Sequence, residues 1–394
     1  MTAPRTRPRS LEERGRVRLL AVLVTLVVLA AASAVFLMVR GDDGGDDDRD
    51  PAPRAEATGT PSPTPTPMTG CTVDERLVNS CRPWFGATAN RYPQAEKWNK
   101  TAQLRYFERR TGRRLDVAHN YHPAGENSLD DTDRYFASRP DTLMLVNWQP
   151  TLDWSRADGS DPEVNAGIDE MGRSIKSLGR TRIMLALFHE PENDVSEAPS
   201  CPKGTPINGE SGTPEEYRTM WRTVHERFDA LGVDNVVWVM NYMGYPAYNC
   251  MIDALYPGDD LVDWILFNAY AQGHAPESFE AEVRNMYDLL TRRSGPRHDY
   301  LSKPWGLAEW GIYDSSQEAA YLYYEQAREA VEADTFPQLK LFAVFDSVDP
   351  HTLDGSYRVA YGRDGTRDRR EQRAFNRFAQ SWRLNGPWEH EPRR

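Results

Sequence analysis

The chain has 394 residues, enough for a large buried core, with 39% hydrophobic and 27% charged residues. Its formal net charge is −12 and no Lys/Arg stripe runs through the aromatic-rich part. That excludes a nucleic-acid binder, which must neutralise phosphates, and a folded domain lying flat on anionic lipid.

Residues 1–18 form a basic tail with Arg5, Arg7, Arg9, Arg14, Arg16 and Arg18. Leu19 to Val39 then run without a charge, interrupted only by Thr25 and Ser33. As a helix this stretch would extend roughly 30 Å, the thickness of a bilayer core. The basic flank predicts a cytoplasmic N-terminus and an extracellular remainder, a single-pass signal-anchor over 19–39. Ala32-Ser33-Ala34 offers the alternative, a cleaved signal and a secreted product, but the apolar run continues through Val35–Val39. Residues 40–70, with an Asp run and TGTPSPTPTPMT, read as an extended, solvated linker. The Asp run is read as solvated rather than as a metal site. Every Trp and every Tyr lies at or beyond residue 84, so the folded body is expected over 71–384, with 385–394 as a tail.

Cys71, Cys81, Cys201 and Cys250 make an even set in an exported chain, without zinc-type spacing. Of three pairings, Cys71–Cys81 closes a short loop where the fold begins. The second pair, Cys201–Cys250, follows from the barrel argument below.

Eight short apolar runs follow, at 82–88, 115–121, 142–148, 182–189, 235–241, 262–270, 303–309 and 339–346. Most are continuous rather than alternating, as parallel strands covered on both faces should be. Between them lie helical patterns. Val164, Ile168, Met171, Ile175 and Leu178 keep a 4,3,4,3 spacing. Thr213, Pro214 and Glu216 open a second helix carrying Tyr217, Met220, Val224, Phe228 and Leu231, and Gly232 ends it. Phe279, Val283, Met286 and Leu290 mark a third. Ser315 with Glu318 caps a fourth, and Phe375, Phe378 and Trp382 mark the last. The expected fold class is α/β, a (β/α)8 TIM barrel. An open doubly wound sheet is the alternative, but no glycine-rich nucleotide motif opens a helix. Trp98, Trp221, Trp238 and Trp264 read as core, and His225 as solvated.

Such barrels build their sites where strands end. Those positions here hold His119-Asn120-Tyr121-His122, Asn147-Trp148, His189-Glu190-Pro191-Glu192, Asn241-Tyr242, Asn268-Tyr270, Glu309-Trp310 and Phe345-Asp346. Glu190 and Glu309 each follow an apolar run, where a charge is costly without a purpose. A carboxylate pair among aromatics suits glycoside hydrolysis, one acid protonating the leaving oxygen and the other attacking the anomeric carbon. Glu192 is the competing acid. A structural role for the carboxylates, core burial of His122 and His189, and simple capping by Trp148 and Trp310 are the competing readings.

FHEPEN at 188–193 and GLAEWG at 306–311 resemble the acid/base and nucleophile signatures of the clan A glycoside hydrolases. The His189-Glu190 variant resembles family 26, the β-mannanase family, in a membrane-anchored form of actinobacterial type. The resemblance covers about residues 82–384. It implies Glu190 as acid/base, Glu309 as nucleophile, and Tyr270 orienting Glu309. It places His189, Trp148, His122, Asn241 and Trp310 at the substrate. Two departures leave the polymer open. No Trp follows His-Glu before Trp221, and Phe345-Asp346 stands at the end of strand eight where the clan has Trp. The expectation is an extracellular, membrane-tethered retaining β-glycosidase, monomeric, acting on a polysaccharide without cofactor or metal. A carbohydrate-binding pseudoenzyme and a trimmer of the cell's own exopolysaccharide are the alternatives.

Overall fold

The computed structural model describes residues 70–89, 99–271, 278–313, 317–347 and 369–386. The tail, apolar span and linker expected before residue 70 lie outside the described residues, as do Trp98, Ser315 and positions 387–394. Among the described residues no helix is long and apolar enough to cross a membrane.

Eight strands form where the eight apolar runs stand: β1 (Trp84–Ala89), β2 (Val117–His122), β3 (Leu143–Trp148), β4 (Ile183–Leu187), β5 (Val236–Tyr242), β6 (Trp264–Ala271), β7 (Trp305–Ile312) and β8 (Leu339–Asp346). Each pairs in parallel with the next, and β8 closes on β1. Around them lie α1 (Lys100–Thr111), α2 (Asp131–Ala137), α3 (Pro162–Lys176), α4 (Pro214–Leu231), α5 (Ile252–Leu255), α6 (Phe279–Arg293), α7 (Gln317–Glu332) and α8 (Arg369–Ala379). The start of α4 carries the expected capping box, with Glu216 N donating to Thr213 Oγ1 and Thr213 N donating to Glu216 Oε2. Gly232 ends that helix in the left-handed conformation. Trp382, expected on the last helix, falls beyond α8 and is exposed.

Strand alternation divides the core in two. Outward side chains pack on the helices. Inward ones, among them Trp84, Val117, Leu145, Met184, Val239, Trp264, Leu266, Ala308, Leu341 and Ala343, fill the barrel. Two interior tryptophans leave room only for small neighbours. A Cβ on Gly306 would lie 2.7 Å from Leu341 Cβ and 3.0 Å from Leu341 O.

The N-terminal end of the barrel has a plug. Cys71 and Cys81 are disulfide-bonded, and Leu77 from the loop between them joins the interior cluster. Trp84 Nε1 donates to Leu77 O at 2.7 Å and Trp264 Nε1 to Arg76 O at 2.5 Å. The interior tryptophans thereby bury their polar edges with partners, which an apolar interior requires.

Because Leu341 belongs to the neighbouring strand and cannot retreat, Gly306→Ala should destabilise the fold by about 1–3 kcal/mol. Urea unfolding of the parent and variant checks this, and equal midpoints would contradict the packing described.

Candidate active site

Between β6 and β7 the register advances one residue on β6, from Phe267 to Asn268, and two on β7, from Leu307 to Glu309. Ala308 is the extra residue of a β-bulge. Without it, alternation from the outward Leu307 would turn Glu309 toward the helices. With it, Ala308 joins the interior cluster and Glu309 faces the barrel mouth.

There Glu309 is clamped by two phenols. Tyr121 donates to its Oε1 at 2.7 Å and Tyr270 to its Oε2 at 2.6 Å. An ionised carboxylate is acceptor-only, so both donors match it. His189 Nε2 lies 4.0 Å from the same Oε1, and its ring meets Tyr121 edge-on at 5.3 Å. Burial lowers the His189 pKa against the opposing pull of Glu309. Burial, then the neighbouring His189, lowers His119 to about 3, so His119 is neutral where it stacks against Tyr121 at 4.4 Å.

Glu190 faces this group from the end of β4. Its backbone is left-handed, as is that of Phe188, so the two residues flanking His189 are both strained. Neighbouring strands hold the turn: Phe188 N donates to Trp148 O at 2.8 Å and Glu190 N to Asn241 O at 2.9 Å. Asn268 Nδ2 donates to Glu190 Oε1 at 2.7 Å, and Asn241 Nδ2 donates to Asn268 Oδ1 at 3.3 Å. Burial first, and the Glu309 charge second, push the Glu190 carboxyl well above its ordinary range. Two inward residues of β6 thus reach both carboxyls, Asn268 to Glu190 and Tyr270 to Glu309.

Five of the eight expected site residues come together here: Glu190, Glu309, His189, Tyr270 and, through Asn268, Asn241. Three do not. His122 points outward, with Nε2 2.7 Å from Asp133 Oδ2. Trp148 is fully buried against Phe228, and Trp310 is fully buried among Phe279, Tyr323, Tyr324 and Phe378. All three occupy outward positions of their strands, which places them in the helix layer. Tyr121, His119 and Asn268 take the places at the mouth, and half-buried Phe345 meets Tyr270 edge-on at 6.0 Å. The signal was available in β2, where inward Val117 puts His119 and Tyr121 on the inner face and His122 outside.

Glu192, the competing acid, is turned into the loop behind Glu190 and receives Met243 N at 3.1 Å on each oxygen. Cys201 and Cys250 are bonded, joining the loops after β4 and β5. Among the described residues, His122, Asp130 and Asp133 are the one group with metal-like spacing, within 4.8 Å of one another. Its oxygens are engaged as the N-terminal cap of α2 and the acceptor for His122.

Burial raises Glu192 to about 8. A carboxyl whose folded value lies above its unfolded value stabilises the fold below the unfolded value, and that contribution disappears as pH rises through the folded one. Thermal stability should therefore fall between pH 4.5 and pH 8. Glu192→Gln, which carries no proton to lose, should flatten that fall in melting curves. Identical slopes would show that Glu192 is not the group responsible.

Residues 155–297 match the model of Glycosyl hydrolase family 26, a segment that contains Glu190, Asn241, Asn268 and Tyr270 and ends before Glu309. Endoglucanase H of Acetivibrio thermocellus is 23% identical over 226 residues, 52% of this chain, and the chain spans only 22% of that relative. The mannanase man26 of Bacillus subtilis superposes with a TM-score of 0.53 at 16% identity, covering 79% of this chain and 90% of that one. A β-mannanase from a symbiotic protist of the termite Reticulitermes speratus gives 0.47 at 15% identity, covering 72% and 85%. The man26 likeness is one of fold, and the family match supports a glycoside hydrolase.

Proposed function

We propose that this chain is an exported, membrane-tethered retaining β-glycosidase of the endo-β-mannanase kind. The observation that carries the reading is the carboxyl pair held by one strand, Asn268 on Glu190 and Tyr270 on Glu309. Retaining glycosidases need such a pair about 5 Å apart, one member protonated. The raised pKa of Glu190 suits the protonated partner, and the two phenols on Glu309 suit the ionised one.

In the first step a Glu309 oxygen bonds to the anomeric carbon, the glycosidic C–O bond breaks, and the leaving oxygen takes the Glu190 proton. In the second, Glu190 removes a proton from water as the water oxygen displaces Glu309 from the same carbon. His189, neutral and beside Glu309, presents Nδ1 without a protein partner. The apolar run 19–39 supports the tether, which would hold the domain outside the cell.

Residues 70–394 should release reducing ends from at least one of mannan, glucomannan, mixed-linkage glucan, β-1,3-xylan and cellulose. Glu309→Ala should abolish the release, and Glu190→Ala should slow it by about 10²–10⁴-fold. Activity should fall on the alkaline side as pH passes the raised Glu190 value and its proton is lost. A profile without an alkaline fall would contradict Glu190 as the acid. A well-folded chain that binds a glycan and turns over none would favour the pseudoenzyme.

Tyr121→Phe removes one hydrogen bond to a charged group, worth about 1.5–3 kcal/mol. It should lower kcat/KM by roughly 10–100-fold and, because the bond exists in the free protein, lower the melting temperature as well. A parental kcat/KM would show that Tyr121 only packs against the site.

A further inference from the structure

The helix ring has a gap. Between β5 and β6 the chain makes a 3-10 segment, Pro246–Met251, and then α5, a single α-helical turn of four residues. The space left between α4 and α6 is a cleft of about 700 Å³. Ser200 and Cys250, on the disulfide-joined loops that follow β4 and β5, form part of its lining. The loop after β4 also carries Glu190.

Its lining is cationic. Arg218 and Arg222, one turn apart on α4, Arg293 at the end of α6, and Arg297 and His298 beyond it face one carboxylate, Asp253. Asp253 is already taken, by Arg293 at 3.1 Å and by the Tyr300 hydroxyl at 2.8 Å. Asp259 nearby accepts from the Tyr256 hydroxyl and from Asp299 N. Among the described residues no carboxylate lies within salt-bridge distance of Arg218, Arg222 or Arg297. Arg218 is committed to a carbonyl, Ala254 O. Burial lowers the Arg218 pKa most, Glu215 opposes this, and Arg222 and Arg297 lower it further, as expected of guanidiniums gathered without enough anion. Both ring nitrogens of His298 are buried without a partner, the ring lying between Tyr256 and Tyr300.

The buried ring nitrogens of His298 are costly without a partner, and guanidiniums gathered around Arg218 repel one another until an anion joins them. Guanidinium forks match carboxylate, sulfate and phosphate oxygens in bidentate geometry, and the volume suits a ligand of one or two sugar rings. We propose that this cleft is a second saccharide site, specific for an anion-bearing glycan segment and separate from the carboxyl pair. The saccharide nature of the ligand rests on the glycosidase reading; the anion specificity does not. Its place beside the β4 loop lets a charged branch or neighbouring residue of a polymer anchor there while the main chain crosses Glu190 and Glu309.

The test is affinity electrophoresis of the full chain in neutral detergent through gels holding polygalacturonate, dextran sulfate or unsubstituted dextran, at low salt. The two acidic polymers separate carboxylate from sulfate recognition. At least one should retard the protein, and dextran should not. The double variant Arg222→Glu/Arg297→Glu, at exposed positions, should lose about tenfold or more in affinity, and Arg222→Gln/Arg297→Gln should lose less. Equal retardation by dextran, parental affinity in both double variants, or binding only to phosphatidylglycerol vesicles would each overturn the proposal. Glu309→Ala should bind as the parent does. Failure of catalysis therefore leaves this measurement intact, and failure here leaves catalysis intact.

Discussion

One inserted residue governs this site. A β-strand turns alternate side chains to opposite faces, so the direction of Glu309 is fixed by counting along β7. Ala308 shifts that count by one. The consequence spreads beyond Glu309, because Tyr121 on β2 and Tyr270 on β6 have a carboxylate to hold only in the bulged register. Trp310, one place further on, is sent outward by the same shift and becomes part of the helix layer.

The second carboxyl is controlled by strain rather than register. Phe188 and Glu190 both sit in left-handed backbone that costs on the order of 1–3 kcal/mol each. That cost is offset by hydrogen bonds to β3 and β5, the neighbours on either side. The turn lifts Glu190 off the strand and over Asn268. Glu190 and Glu309 then influence each other through space. The charge of Glu309 helps keep the proton on Glu190, and the hydrogen bond from Asn268 pulls the other way.

The eight strands, the capped α4 and the strand-end placement of Glu190 and Glu309 were legible in the sequence because each rests on local pattern. Facing was not. In a parallel barrel both strand faces are apolar, so continuous runs such as LMLVNW hide which residues look inward. His122 was favoured over Tyr121, and Trp148 and Trp310 over Asn268 and Phe345, for that reason. The bulge itself leaves no mark in WGLAEWG, since alanine suits either face. The arginine cleft was equally hidden. Its four guanidiniums come from α4, the end of α6 and the loop after it, far apart in the chain, so no stripe of charge announces it.

The plug formed by residues 71–81 has a consequence for proteolysis ahead of the barrel. Its disulfide, its interior Leu77 and the two tryptophan bonds all lie on the C-terminal side of residue 70. A protease cutting just upstream would sever nothing that seals the barrel floor. A product beginning there would keep its closed base and its carboxyl pair. The seal belongs to the barrel itself.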